Sequence, residues 1–166
     1  TSRFVMILGF GLLFTSSAGA QRQNRRKAPR HTGSSKPSPP PVEYFRADMP
    51  NMPFSQAVRV GHMLYLSGQI GTDDSGAPVP GGIKAETRQV MEKIRRTLQR
   101  NGSSLDQVVK CTVMLADISE WSAMNEVYVT YFARDRLPAR SALGANGLVF
   151  GARVEIECWA TVRWWR

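Results

Sequence analysis

RVEIECWATV, residues 153–162, is the stretch whose reading decides the fold. Side chains alternate across an extended chain, so Val154, Ile156, Cys158 and Ala160 point to one side, and Arg153, Glu155, Glu157 and Trp159 to the other. One face suits a core, while the other carries charge and an indole. The same alternation appears upstream in VVKCTVMLAD (108–117), where Val109, Cys111, Val113 and Leu115 are expected to share a face. AVRV (57–60) and MLYLSGQ (63–69), joined by Gly61-His62, read as a hairpin, and PARSALGA (138–145) as a further strand. Between them, Ile83, Val90, Met91, Ile94 and Leu98, with Thr87, recur at helical spacing, and Asn101-Gly102 supplies the stop. A second helix starts near Ser119 and carries Trp121, Met124, Val127, Tyr128 and Tyr131 at three- and four-residue steps.

The order is β-β-α-β-α-β-β, an α+β layer with two helices packed on one face of a mostly antiparallel or mixed sheet. With both helices used on the apolar side, the other face must be solvated or meet another subunit. Trp159, on the same face as the carboxylates Glu155 and Glu157, favours a subunit interface.

The 166 residues, 42% hydrophobic and 21% charged, suffice for one domain with a core. The formal charge of +9 is concentrated in residues 1–46, where eight Lys and Arg face the single acid Glu43. That segment holds +7 of the total, so the rest is near neutral and shows no basic, aromatic-interleaved stripe for nucleic acid. Arg3, the apolar run Phe4–Phe14 and the small residues Ala18-Gly19-Ala20 predict a signal peptide over 1–20, cleaved before Gln21. The expected destination is the periplasm or the exterior; the alternative is an organelle. Eleven apolar residues are too few for a permanent membrane anchor. Residues 21–47, basic and proline-rich, are expected to be a disordered linker, and 48–166 the folded domain.

Cys111 and Cys158 each lie within a strand-like apolar run. Each reads as a small buried hydrophobe rather than half of a bridge, although an exported protein can hold one. His31 and His62 have no CxxC, HExxH or third ligand near them, so no metal site is expected.

MPFSQAV (52–58), YLSGQIG (65–71), VVKCTVML (108–115), MNEVYVTYF (124–132), LPARSA (137–142) and VEIECWA (154–160) occur in this order at separations that resemble the Rid, or YjgF, family of reactive intermediate deaminases, formerly termed endoribonuclease L-PSP. The resemblance spans about residues 48–163. It implies a chorismate-mutase-like sandwich and a homotrimer with three equivalent clefts between subunits. It also implies hydrolysis of 2-imino and enamine acids, such as 2-iminobutanoate and 2-iminopropanoate, to 2-oxo acids and ammonia.

The same resemblance makes Arg140 the group that binds the substrate carboxylate. A guanidinium is permanently charged and offers a two-pronged fork matched to a carboxylate. Glu155 becomes the carboxylate that holds the attacking water, with Glu157 the competing residue on the same face. Ser67, Gly68 and Asn125 line or shape the cleft. Phe54 stands where many members have tyrosine and Ala142 where many have cysteine, which opens the pocket to a larger or more apolar imine. The chemistry calls for no cofactor. The alternative function is a non-catalytic ligand-binding or interaction trimer of the same fold. A ribonuclease is disfavoured because the near-neutral domain lacks a histidine pair, although the tail can hold RNA nonspecifically.

Overall fold

A computed structural model describes residues 38–47 and 51–162. The expected signal peptide, most of the expected linker and residues 163–166 lie outside the described residues. A single mixed sheet contains β1 (Val42–Arg46), β2 (Ser55–Val60), β3 (Met63–Leu66), β4 (Gln69–Ile70), β5 (Val108–Leu115), β6 (Ala139–Gly144) and β7 (Val154–Thr161). Its spatial order is β1-β2-β3-β7-β5-β6, with β4 also paired to β7. Only the β5–β6 pair is parallel among the pairings described. The helices are α1 (Gly82–Arg100) and α2 (Trp121–Tyr128).

The α+β architecture agrees with expectation, with two additions. Val42–Arg46, expected as the end of the linker, is an edge strand antiparallel to β2. The two-residue β4 exists only through its pairing with β7. β3 and β4 contact successive parts of β7: Tyr65 opposes Trp159, and Gln69 opposes Ile156. Leu66, Ser67 and Gly68 are thus accommodated opposite only Glu157 and Cys158, and the strand bulges there. That bulge places the Ser67-Gly68 turn at the site described below.

The core forms where the apolar stripe of α1 meets the inner face of β7 and β5. Val90, Met91, Ile94 and Leu98 pack with Val113, Leu115, Val154 and Ile156, all fully buried. Thr87, also buried, donates its hydroxyl to the Ile83 carbonyl at 2.6 Å, so its own polar atom is not left orphaned. The helix stops where expected: Asn101 Nδ2 donates to the Thr97 carbonyl, and Gly102 takes the left-handed conformation, φ 73°.

One predicted inward residue is displaced. Val109 is exposed and Val108 is buried, because the β5–β7 register shifts between Val108 and Lys110 and moves the alternation by one residue. The expectation of two unbridged cysteines is also corrected. Cys111 and Cys158 are direct partners across β5 and β7, with Cα atoms 4.1 Å apart, and form a disulfide in the core. The physical reason is register. Two inward side chains directly opposed in an antiparallel pair lie within bonding reach.

The outer face of β7 remains without a covering element among the described residues. Glu155, Glu157 and Trp159 oppose Met114, Thr112 and Lys110 of β5. Trp159, 41% exposed, meets Tyr65 edge to face at 5.2 Å.

Candidate active site

The seven sequence-predicted residues fall into two groups on opposite sides of the sheet. Arg140 pairs with Cys111 in the β5–β6 ladder and therefore sits on the helix-covered side; Ala142, paired with Val113, follows it there. Glu155 pairs with Met114 and points to the open side. One chain therefore does not converge its candidate carboxylate clamp and its candidate base on a single point.

The first group is built on α2 and β6. Arg140 Nη1 donates to Asn125 Oδ1 at 2.8 Å. Its guanidinium carbon lies 4.7 Å from the Tyr128 ring centroid and 5.5 Å from that of Trp121, both within cation–π range. Among the described residues no carboxylate forms a salt bridge with Arg140, so an arginine paired with an acid across the sheet is not what the fold contains. The cation is held by an amide and two rings, which leaves its charge unneutralised. Tyr128 is buried, and among the described residues its hydroxyl has no hydrogen-bond partner. Burial pushes the phenol up to about 12 against the opposing pull of the Arg140 charge.

Trp121 and Tyr128 were legible as part of an apolar helical stripe, but not as partners of Arg140. The signal is their spacing with Asn125: positions 121, 125 and 128 lie on one side of a helix.

The second group is built on the β3–β4 bulge and the start of β7. Ser67 Oγ donates to the Ser55 carbonyl at 2.6 Å and Ser67 N–H to the Gln56 carbonyl, which ties the segment after Phe54 to this turn. Gln69 Nε2 donates back to the carbonyls of Ser67 and Gly68 and holds the turn. Gly68 has a steric reason. A Cβ there would lie 1.8 Å from Glu155 Oε1, so the carboxylate occupies the space that glycine leaves. Phe54, the residue before Ser55, is about half exposed.

Glu155 has its pKa raised, first by burial and second by the neighbouring Glu157 charge. A raised carboxylate pKa makes a stronger base at neutral pH, which suits activation of water. Glu86, a buried residue of α1, instead accepts the Arg153 N–H at 2.8 Å and anchors the start of the same strand. A solvent-facing groove lined by Lys84, Arg88, Glu126 and Tyr131 contains neither Arg140 nor Glu155. Among the described residues no group of three His, Cys, Asp or Glu is placed to hold a metal, and no helix is long and apolar enough to cross a membrane.

This mixed sheet, with its paired helices, is that of a known class. The chain belongs to the endoribonuclease L-PSP family, also called YjgF or Rid, whose model matches residues 46–162. Among characterised proteins it is similar to the 2-iminobutanoate/2-iminopropanoate deaminase of Mus musculus, 45% identical over 106 residues that make up 63% of this chain and 78% of the relative. A RutC family protein of Pyrococcus horikoshii is 43% identical over 112 residues, 67% of this chain and 88% of that one. Among solved structures, a Rid family protein of Yersinia pestis superposes with a TM-score of 0.68 at 36% identity, covering 74% of this chain and all (100%) of that one.

Proposed function

We propose that this protein is a hydrolytic deaminase that converts reactive 2-imino and enamine acids to 2-oxo acids and ammonia. Similarity to deaminases at 43–47% identity favours an enzyme over a non-catalytic binder of the same fold. The observation that carries the reading is the presence of an arginine with no carboxylate partner among the described residues and a glutamate of raised pKa, each held by its own local scaffold.

In this mechanism Arg140 grips the substrate carboxylate by charge and geometry. Glu155 takes a proton from a water as its oxygen attacks the imine carbon. The C=N bond becomes C–N as Glu155 returns its proton to the nitrogen. The aminoalcohol then collapses, its hydroxyl proton passing to the nitrogen by way of Glu155, so that the C–N bond breaks, ammonia leaves and the 2-oxo acid and the Glu155 carboxylate are restored. Ser67, Gly68 and Asn125 position the two charged groups. Phe54 and Ala142 offer neither a hydroxyl nor a thiol, so substrate side chains there meet an apolar surface.

Because Arg140 and Glu155 lie on opposite faces of one sheet, the working site is composite, formed where the open face of one copy meets the α2–β6 edge of another in a homotrimer. The exposed Trp159 and the uncovered outer face support this assembly. We also infer that the protein is exported, a reading supported by the apolar leader with its small-residue cleavage pattern and by the buried disulfide, a bond suited to an oxidising compartment.

The test is release of ammonia or 2-oxo acid from imino acids freshly generated by an amino-acid oxidase, across small, branched and aromatic side chains. Acceleration that is lost in both Arg140→Ala and Glu155→Gln is the expected result. Wild-type acceleration in either variant would overturn the assignment of that residue.

A further inference from the structure

We propose that Trp121, together with Tyr128, is a positioning residue for the Arg140 clamp. The two rings hold the guanidinium so that one edge is spent on Asn125 while the remaining N–H groups face an incoming carboxylate. The inference rests on the proposed carboxylate-binding role of Arg140.

Three observations converge on it. First, α2 places Trp121, Asn125 and Tyr128 on one stripe, and all three contact the same guanidinium. Second, that guanidinium is only partly buried on β6, the last strand in the sheet order, where an arginine would otherwise sample many rotamers. Its hydrogen bond to described residues uses Nη1 alone. Third, core packing does not account for Trp121. The indole is 38% exposed, in contrast to Met124 and Tyr128 of the same helix, which are 0% and 3% exposed. An indole left partly in water beside an unneutralised cation has its best partner in that cation, because the ring face carries the negative end of the quadrupole.

The rings also offer the arginine nothing with which to neutralise its charge. A carboxylate in their place would bind the guanidinium more strongly and compete with the substrate. Aromatic faces fix its plane and leave its charge for the ligand. The buried phenol of Tyr128 stays neutral throughout the physiological range, so the holder does not change its own charge there.

The experiment measures binding of 2-oxobutanoate by titration calorimetry, and KM and kcat for imine deamination, in the wild type, Trp121→Leu, Trp121→Phe and Arg140→Ala. Melting temperature and assembly state are recorded for each. Trp121→Leu keeps apolar bulk and removes the π face. It is expected to weaken 2-oxobutanoate binding and raise KM by about three- to tenfold, with kcat within about twofold of wild type. Trp121→Phe restores most of that loss, which simple packing at a half-open site would not require. Unchanged affinity in Trp121→Leu, or a fall in kcat at constant KM, overturns the positioning role. Unchanged affinity in Arg140→Ala is a different failure: it removes the carboxylate clamp itself, and the positioning role with it. A Trp121→Leu protein that melts and assembles like wild type yet binds weakly supports the proposal.

Discussion

The division of the candidate site between two sheet faces makes a quantitative prediction about mixed assemblies. Let Arg140→Ala and Glu155→Gln each be inactive alone, and let subunits be mixed in equal amounts, by co-expression or by refolding together. In a cyclic trimer with composite clefts, each cleft takes Arg140 from one subunit and Glu155 from its neighbour. A cleft works only when the arginine comes from the Glu155→Gln subunit and the glutamate from the Arg140→Ala subunit. At random mixing about one cleft in four meets that condition. Every mixed trimer, whichever variant is in excess, contains one restored cleft. Activity should therefore recover to about a quarter of wild type, and a tag-purified mixed species should reach about a third. The readout is 2-oxo acid formed per subunit, with assembly confirmed by light scattering. Because Gly68 and Ser67 travel with Glu155, and Asn125 and Trp121 with Arg140, the restored cleft has both scaffolds intact. Mixed trimers with no more activity than the parents would mean that one chain supplies both groups, and would refute the composite site.

Other perturbations follow from single contacts. Gly68→Ala puts a methyl where Glu155 Oε1 now lies, 1.8 Å from it, so the carboxylate must move; kcat should fall by about tenfold or more at nearly unchanged melting temperature. A loss of fold instead, seen by circular dichroism, would contradict the view that the flexible carboxylate absorbs the clash. The raised pKa of Glu155 means that the native state binds its proton more tightly than the unfolded chain. Its contribution is therefore present below the ordinary value of 4.5 and is lost as pH rises through the folded-state value, so Glu155→Gln should gain stability over wild type across that window and keep the gain above it. Urea midpoints at about pH 4 and about pH 7.5 test this, and a variant less stable than wild type at the higher pH would refute it. The Cys111–Cys158 bond closes a loop with a sequence separation of 47, worth about 4 kcal/mol of denatured-chain entropy. Reductant added during guanidinium unfolding should lower the midpoint at fixed protein concentration, and coincident curves would show that the bond is absent in solution.

The elements that could be read from the sequence are those whose pattern is local. Alternation from Val154 to Ala160 and the helical stripe from Ile83 to Leu98 depend only on which neighbours share a face, and both survive in the fold. What escaped depends on pairing. β1 is five residues at the end of a proline-rich segment, and only β2, with its own register, turns it into a strand. β4 is too short to show a period. A bulge moved Val109 outward, and a bulge is a property of two strands rather than one. The disulfide belongs with these. Each cysteine was correctly placed in a buried strand, but their direct opposition is fixed by the β5–β7 register.

The same distinction explains how the candidate site was seen as residues but not as a geometry. Family resemblance nominated Arg140 and Glu155, and nothing in either motif says which way the two side chains point relative to each other. Pairing supplies the answer through Cys111, which stands opposite both Arg140 in β6 and Cys158 in β7 and so fixes all three on the inner side. Glu155 is an odd number of residues from Cys158 along a regular strand, and must therefore face outward. A side chain facing outward cannot serve a substrate held on the inner side of the same sheet. On the proposed reading, the charged outer face of the last strand is the second half of the site, and the mixed-assembly experiment tests whether another copy's Arg140 edge completes it.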